Sequence, residues 1–317
     1  MEYTTLGRTG LKVSVAGLGC GGPSRLGQGT GKRETESVAL VRTAFDLGIN
    51  FFDTAAMYGT EGIVGDALAG LDRDSIVIST KTSHWHDGPK DVLAGLDASL
   101  KALKVDYVDV FHLHGVTDAG YDSVRDEIYP ALVRERDKGK LRFIGVTEFA
   151  NVDPGHAMLA RALDDDLWDV IMVAFHMMHQ NAYSLVFPKT QARKVGTLIM
   201  YAVRRLFSVP EKLREELKAL ADAGDIPAWL GEEEEPLSFL LHDGGASSLV
   251  DAAYRFVRHD PACDITLTGT GNADHLRDNV ASILRPPLPA EDVAKIKDLL
   301  GPLVGIGFDP SKAPAAR

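Results

Sequence analysis

The stretch Ile76-Val-Ile-Ser-Thr-Lys81 is a short run of apolar and β-branched residues that ends on a lysine. A stretch of helical spacing follows it at residues 90–103, and a second apolar run, Asp109-Val-Phe-His-Leu-His114, comes next. Apolar strands that alternate with helices are typical of a parallel sheet, because such a sheet is covered by helices on its faces. The stretch therefore predicts two parallel strands joined by a helix.

The same unit recurs along the chain. The other strand patterns lie at residues 15–19, 50–54, 141–147, 169–175, 196–201 and 264–269, which makes eight in all. Helical patterns lie at 34–47, 62–71, 121–137, 154–163 and 247–257. Eight strand–helix units in about 270 residues favour a closed (β/α)8 TIM barrel over a doubly wound sheet, which usually has five to seven strands.

Two stretches depart from the repeat, a long loop at residues 176–195 and an extension at 204–241 with an acidic break at 232–236. Long loops at the C-terminal ends of barrel strands usually shape the substrate pocket. We expect the whole chain, residues 1–317, to form a single barrel domain. Its end, residues 290–317, is expected to be one helix, 290–300, followed by a Pro/Ala-rich tail.

Composition and charge exclude several classes of function. The chain has 45% hydrophobic residues and a formal net charge of −11, without a basic stripe, so nucleic acid and anionic membranes are poor partners. Cys20 and Cys263 are too few for a disulfide framework or a zinc site, and no metal is expected. The first residues lack a secretory pattern and no apolar run is long enough to span a bilayer, so we expect a cytoplasmic protein.

Three ionisable residues lie at or near the ends of consecutive strand patterns: Asp53, Lys81 and His114. Neighbouring strands are about 4.8 Å apart, so these side chains should converge on the barrel face that carries active sites. Tyr58 follows Asp53 within the next loop and should lie over the same opening. A lysine ammonium stabilises a phenolate and would lower the tyrosine pKa, a carboxylate would keep the lysine charged, and His114 could orient a substrate carbonyl.

Two other patterns are weaker. Residues 17–22 match G-x-G-x-x-G, but a flexible loop follows instead of a helix, so a Rossmann site is not expected. His84 and His86 flank Trp85, and His176 and His179 follow the sixth strand, but neither pair has a completing ligand for a metal. We expect Trp85 and these loop histidines to line the substrate pocket, together with His114.

These motifs resemble the aldo-keto reductase family over nearly the whole chain. Residues 3–14 are similar to its opening β-hairpin, and Gly48-Ile-Asn-Phe-Phe-Asp-Thr-Ala55 with Tyr58-Gly-Thr-Glu61 is similar to its signature. Further similarities lie at 78–81, 109–114, 139–147, 269–272 and 275–279. The resemblance implies Tyr58 as proton donor, Lys81 and Asp53 as the pair that tunes it, and His114 as the carbonyl-orienting residue.

The resemblance also implies an extended NADPH or NADH on the C-terminal face of the barrel. Gly21 and Gly22 lie beside the first strand's end, while Thr147 and Glu148 replace the family's Ser-Asn pair at the cofactor carboxamide. Met172 replaces a Gln and is a weak acceptor, whereas an ionised Glu148 could accept from the carboxamide NH2. The other expected cofactor contacts are Asp53, Tyr201, Arg204, Arg205, Gly269, Thr270, Gly271, Asn272, His275 and Asn279.

Phosphate binding is expected from Arg204 and Arg205 and from the turn and helix N-terminus at 269–279. The resemblance favours NADP(H) over NAD(H), although Gly269 and Gly271 stand where members that prefer NADPH often carry a basic residue. It implies NAD(P)H-dependent reduction of an aldehyde, ketone or sugar-like carbonyl. Two alternatives remain open: an NAD-linked sugar or alcohol dehydrogenase, and a non-catalytic nucleotide-sensing subunit. The sequence leaves the oligomeric state open.

Overall fold

The computed structural model describes residues 1–308 of the 317-residue chain. A two-stranded antiparallel hairpin comes first, made of β1 (Tyr3–Thr5) and β2 (Lys12–Ser14). Eight parallel strands then close into a barrel in the order β10-β3-β4-β5-β6-β7-β8-β9. They are β3 (Ala16–Gly19), β4 (Phe51–Asp53), β5 (Val77–Thr82), β6 (Val108–Val116), β7 (Leu141–Glu148), β8 (Val170–Ala174), β9 (Gly196–Met200) and β10 (Ile265–Thr268). The predicted (β/α)8 fold and all eight predicted strands are confirmed.

Helices cover the outside of the barrel. In chain order they are α1 (Glu34–Asp46), α2 (Glu61–Leu68), α3 (Pro89–Leu103), α4 (Tyr121–Ser123), α5 (Tyr129–Asp137), α6 (Ala157–Asp165), α7 (Ala182–Leu185), α8 (Phe187–Arg193), α9 (Arg204–Ser208), α10 (Pro210–Ala223), α11 (Ala228–Glu232), α12 (Leu249–Arg258), α13 (Ala273–Ile283) and α14 (Ala290–Leu300). Within residues 1–308, no helix combines the length and the apolar character that crossing a bilayer requires.

The hairpin closes one end of the barrel. Its side chains Leu6, Leu11 and Val13 are buried in one cluster with inward-facing residues of the strands. The backbone N–H of Arg8 donates to the carbonyl of Lys194, just before β9, which places the hairpin at the N-terminal end of the strands. The opposite end, where the strands finish, is therefore the open mouth of the barrel.

The loop predicted at residues 176–195 was wrong, and the extension at 204–241 is largely helical. Residues 176–195, expected to be a loop, contain α7 and α8, and the extension at 204–241 contains α9, α10 and α11. Pro188 hid α8, because proline reads as a helix breaker although it is tolerated in the first turn, where it lies here. In α10, Leu213, Leu217 and Leu220 are buried at helical spacing, a pattern that was available in the sequence.

The predicted helix at 121–137 is interrupted. A π-helical turn, Val124–Ile128, separates α4 from α5, and Pro130 lies in the first turn of α5. Proline lacks the N–H that an α-helical ladder requires, so the wider turn precedes it. The helix predicted at 290–300 is confirmed, while residues 309–317 of the predicted tail lie outside the described residues.

Candidate active site

Four of the predicted site residues meet at the mouth of the barrel. Asp53 is the last residue of β4, Lys81 lies near the end of β5, and His114 lies near the end of β6. Tyr58 ends a short 3-10 turn, Ala56–Tyr58, that follows β4. Parallel strands of one barrel end on the same rim, so their side chains converge there although they are far apart in sequence.

The four side chains form a connected group. The Lys81 ammonium donates hydrogen bonds to Asp53 Oδ2 at 2.6 Å and to the Thr54 carbonyl at 2.8 Å. The Ser79 hydroxyl donates to the other Asp53 oxygen at 2.8 Å. The Tyr58 hydroxyl lies 3.3 Å from His114 Nε2. A buried ion pair therefore lies beneath a phenol and an imidazole that face the mouth.

Burial and charge set the protonation states of this group. Burial alone favours a neutral Lys81, but Asp53 and Tyr58 leave the pKa of the ammonium raised. Burial, aided by the Lys81 charge, lowers the pKa of His114 to about 3, so its imidazole is neutral at pH 7. The prediction that Lys81 lowers the pKa of Tyr58 was wrong in its net result. Lys81 acts in that direction, but burial acts more strongly and raises the pKa above 10.

Trp85 and Thr147 both contact the backbone next to the His114 side chain. The Trp85 indole N–H donates to the His114 carbonyl at 3.0 Å, and the Thr147 hydroxyl accepts from the Gly115 N–H at 2.7 Å. Both side chains are buried. Trp85 was expected as a pocket wall and Thr147 as a carboxamide contact, and sequence reasoning missed their contacts with this peptide group.

Glu148 does not line the cleft that the family resemblance assigns to the cofactor. Its Oε2 lies 2.7 Å from Nδ1 of His156, and its Oε1 accepts the N–H of Ala174 at 2.8 Å. His156 Nε2 in turn lies 3.0 Å from Asn181 Oδ1. Glu148 therefore links the segments that follow β7 and β8, which corrects the expectation that it faces the carboxamide.

Met172 lies in the interior of the barrel. Its side chain is 4% exposed and packs in the barrel-interior cluster with Val170 and Leu198. This position in the interior suits an apolar thioether and requires no hydrogen bond. A cofactor contact by Met172, expected by position, is not seen in the lining of the cleft.

An open cleft of about 790 Å³ lies on one side of the mouth, between the first strand's loop and α13, and its lining does not include Asp53, Tyr58, Lys81 or His114. Eight of the expected cofactor residues line it: Gly22, Tyr201, Arg204, Arg205, Gly269, Thr270, His275 and Asn279. Gly21 lies under the Tyr58 ring, where a Cβ atom would approach within 2.5 Å of a ring carbon. Gly271 packs against Gly27, whose Cα would lie 2.6 Å from such a Cβ. These two glycines permit close packing beside the cleft instead of lining it.

The N-terminus of α13, where a phosphate site was expected, is capped by a side chain of the protein. Asn272 caps this helix, and its Oδ1 accepts the N–H groups of Asp274 at 2.8 Å and His275 at 3.4 Å. Two of the N–H groups that an anion would use therefore have a partner within the chain. Arg204 and Arg205 remain as cations on the cleft wall.

Several lining residues were missed. They lie around the start of α12 and along α13: Ser247, Ser248, Tyr254, Asp278, Ser282 and Arg285. Ser248 caps α12, because its side chain accepts the backbone N–H of Asp251. The sequence pattern Ser-x-x-Asp at these positions indicates such a cap. Arg285 Nη1 lies 2.9 Å from Asp251 Oδ2, an ion pair that holds the arginine in place. The capping pattern could have marked a helix start here, but nothing in the sequence placed it beside the cleft.

His176 and His179 lie beneath the segment that follows α14. The Gly305 N–H donates to His179 Nδ1 at 2.9 Å, and the Phe308 ring lies 4.7 Å from the His179 ring. Burial lowers the pKa of both imidazoles. Across residues 1–308, no three His, Cys, Asp or Glu side chains are grouped to hold a metal ion.

Comparisons with solved structures agree with the barrel. An aldo/keto reductase from Klebsiella pneumoniae, solved with NADP and acetate, superposes with a TM-score of 0.70 at 22% identity, covering 96% of both chains. An aldo-keto reductase from Bacillus halodurans superposes with a TM-score of 0.68 at 26% identity, covering 95% of this chain and 96% of the other.

Curated relatives point the same way. L-galactose dehydrogenase of Arabidopsis thaliana is 40% identical over 157 residues, which is 46% of this chain and 48% of that protein. The chain thus spans about half the length of this relative and of an uncharacterised Bacillus subtilis oxidoreductase, 50% of which is matched. The Bacillus subtilis aldo-keto reductase YhdN is 27% identical, over 95% of this chain and 94% of its own length. The model of the Aldo/keto reductase family matches residues 18–300, and the chain belongs to that family.

Proposed function

We propose that the protein reduces the carbonyl group of an aldehyde, ketone or sugar-like compound to the alcohol, with NAD(P)H as the cofactor. The observation that carries this proposal is the Tyr58 hydroxyl 3.3 Å from His114 Nε2, above the buried ion pair of Lys81 and Asp53. A carbonyl oxygen that enters between the phenol and the imidazole can accept hydrogen bonds from both. This pair therefore fixes where the reacting oxygen lies.

Tyr58 is the proton donor in this proposal. Because burial raises its pKa, the phenol is protonated at neutral pH, which is the form a donor requires. The Lys81 nitrogen lies 5.2 Å from the centre of the phenol ring, so its charge stabilises the phenolate that remains after the proton leaves. Asp53 keeps the ammonium charged and in place. The neutral His114 can donate a hydrogen bond without placing a second cation beside Lys81.

The cleft fits an extended dinucleotide. Its volume of about 790 Å³ falls within the range of small-molecule sites, and it begins beside Tyr201 and Gly22 near the mouth. Arg204 and Arg205 would hold the phosphates, while His275 and Asn279 would face the adenosine end. When bound, the nicotinamide supplies the hydride that reduces the carbonyl carbon. The preference for NADP(H) rests on the Klebsiella pneumoniae structures, which were solved with NADP and with NADPH.

A second candidate is the same reaction in the oxidising direction. It is favoured by the match to L-galactose dehydrogenase, whose name indicates oxidation of a sugar. The same tyrosine would then act as the base, since proton transfer at one site runs both ways.

Turnover of a substrate panel tests both candidates. The wild type should reduce aldehydes, ketones or open-chain sugars with NADPH or NADH, or oxidise sugars with NADP+ or NAD+. Lys81→Met should lower kcat by at least about 100-fold while leaving nucleotide affinity near the wild-type value, because Lys81 acts on Tyr58 and not on the cleft. Nucleotide binding without turnover of any compound in either direction would contradict the proposal and favour a sensing subunit.

A further inference from the structure

The end of β6 carries a β-bulge at the proposed carbonyl-orienting residue. Leu113 pairs with Val146 of β7, and Val116 pairs with Glu148. Two residues of β6, His114 and Gly115, therefore oppose the single residue Thr147. Gly115 has φ +65°, in the left-handed region that favours glycine. A bulge of this kind turns a side chain out of the ladder's regular direction, here at the mouth of the barrel.

Two side chains hold the peptide group at this bulge from opposite sides. The carbonyl of His114 and the N–H of Gly115 belong to the same peptide bond. Trp85 donates its indole N–H to that carbonyl at 3.0 Å, and the Thr147 hydroxyl accepts that N–H at 2.7 Å. A donor and an acceptor that act on one peptide fix its plane, which constrains the backbone of His114 from which the imidazole projects.

No hydrogen bond from the described residues reaches the inner side of the imidazole. His114 Nδ1 is buried and has no hydrogen-bond partner within residues 1–308, whereas Nε2 lies 3.3 Å from the Tyr58 hydroxyl. Trp85 is itself wedged in place: a Cβ atom on Gly120 would lie 2.3 Å from its ring. The position of the imidazole therefore depends on the backbone conformation of the bulge.

We propose that Thr147 and Trp85 are positioning residues for His114, which clamp the bulged peptide and so aim the imidazole at the substrate oxygen. This inference rests on the proposed function. It gives Thr147 a role beyond the carboxamide contact that the family resemblance implies. Its hydroxyl accepts from Gly115 and keeps one proton to donate, so both roles are chemically compatible.

The test compares paired variants. Thr147→Val removes the hydroxyl with little change in shape, Thr147→Ser restores it, and Trp85→Phe removes the indole N–H. Matched controls lose equivalent hydrogen bonds at the opposite end of the barrel. The Thr197 hydroxyl accepts the Asp264 N–H at 2.9 Å and donates to the Ala262 carbonyl at 2.6 Å, and Thr197→Val loses both bonds. Trp168→Phe loses a bond of 3.1 Å to the Tyr121 hydroxyl.

We expect kcat to fall about tenfold in Thr147→Val and in Trp85→Phe, the size of one lost hydrogen bond. Thr147→Ser should restore kcat, the nucleotide Kd of Trp85→Phe should stay within about twofold of the wild-type value, and both controls should keep the wild-type kcat. The imidazole ¹⁵N resonance of His114, assigned by its loss in His114→Gln, should move in the first two variants only.

Three results would overturn the inference. One is an unchanged kcat with an unmoved His114 resonance in both variants. Another is a loss confined to nucleotide Kd in Thr147→Val, which would leave only the carboxamide contact. The third is an equal loss of kcat in the controls, which would show a general effect on stability. If the wild type turns over no substrate, the proposed function fails separately and the His114 resonance still decides the inference. If Thr147→Val does not fold, Trp85→Phe still tests the inference, because the same fall in kcat and the same movement of the His114 resonance are expected for it.

Discussion

Replacing Glu148 tests the most distinctive departure of this chain from its family's pattern. The carboxylate is buried and holds two groups, the imidazole of His156 and the backbone N–H of Ala174. Glu148→Ala leaves both without their partner inside the protein. Removing one partner of a buried charged pair costs about 3–5 kcal/mol. For a chain of this length the entropy of unfolding is about 0.7 kcal/mol per kelvin, so Tm should fall by about 4–7 °C.

Glu148→Gln is the matched control. The amide keeps the size of the side chain, an oxygen for the Ala174 N–H and a hydrogen-bonding group for His156, so we expect a loss of only about 1 kcal/mol. Because Glu148 lies outside the lining of the cleft, Glu148→Gln should also bind NADPH within about twofold of the wild type.

The assay is unfolding in urea and on heating, followed by circular dichroism, with NADPH titrations of the folded variants by fluorescence. Burial would lower the pKa of His156, but Glu148 leaves it raised. The stabilisation from His156 is therefore full below pH 6.5 and is lost as the pH rises through the raised value, a slope that Glu148→Gln should flatten. The reasoning is refuted if Glu148→Ala is as stable as Glu148→Gln, or if Glu148→Gln abolishes nucleotide binding.

Three further expectations come from buried contacts. The free energy of unfolding should fall as the pH is lowered from 6.5 toward 3. Burial lowers the pKa of His114 to about 3 and that of His179 to about 2, so the unfolded chain binds these protons at a higher pH than the folded chain does. A free energy of unfolding that does not change with pH in urea titrations would contradict this. Gly145→Ala should destabilise the protein by about 1–3 kcal/mol, since its Cβ would lie 2.2 Å from His112 Nδ1, and the double variant with His112→Ala should recover part of that loss in the same assay. Asn272→Ala should cost about 1 kcal/mol by removing the cap of α13, and a Tm equal to the wild type's would show that the cap is dispensable.

The barrel could be predicted from the sequence because its strands are short apolar runs in a regular alternation with helices. Polar residues that interrupt the end of such a run, as Lys81 and His114 do, are unusual enough to mark a site. The fold then explains why residues far apart in sequence, such as Asp53 and His114, meet on one rim. At these positions the sequence pattern of each strand and the arrangement of the strands in the barrel indicate the same site.

Other features depend on contacts that no local pattern records. Glu148 could be placed on a strand, but its partner His156 lies in a turn with positive φ and could not be paired with it in advance. The bulge at His114 arises from the register between β6 and β7, and register is a property of two strands together. The net pKa of Tyr58 likewise depends on how deeply the phenol is buried, which outweighs the lysine beside it.

The most direct test of the central claim is a comparison of wild type and Tyr58→Phe in two steps on the same preparations. NADPH and NADH affinity is measured first, by the change in cofactor fluorescence, and carbonyl reduction second, in a single turnover with the nucleotide saturating. We expect both proteins to bind the preferred nucleotide with equal affinity, and only the wild type to reduce the carbonyl at a measurable rate. Equal rates in the two proteins would show that Tyr58 is not the proton donor and would contradict the account.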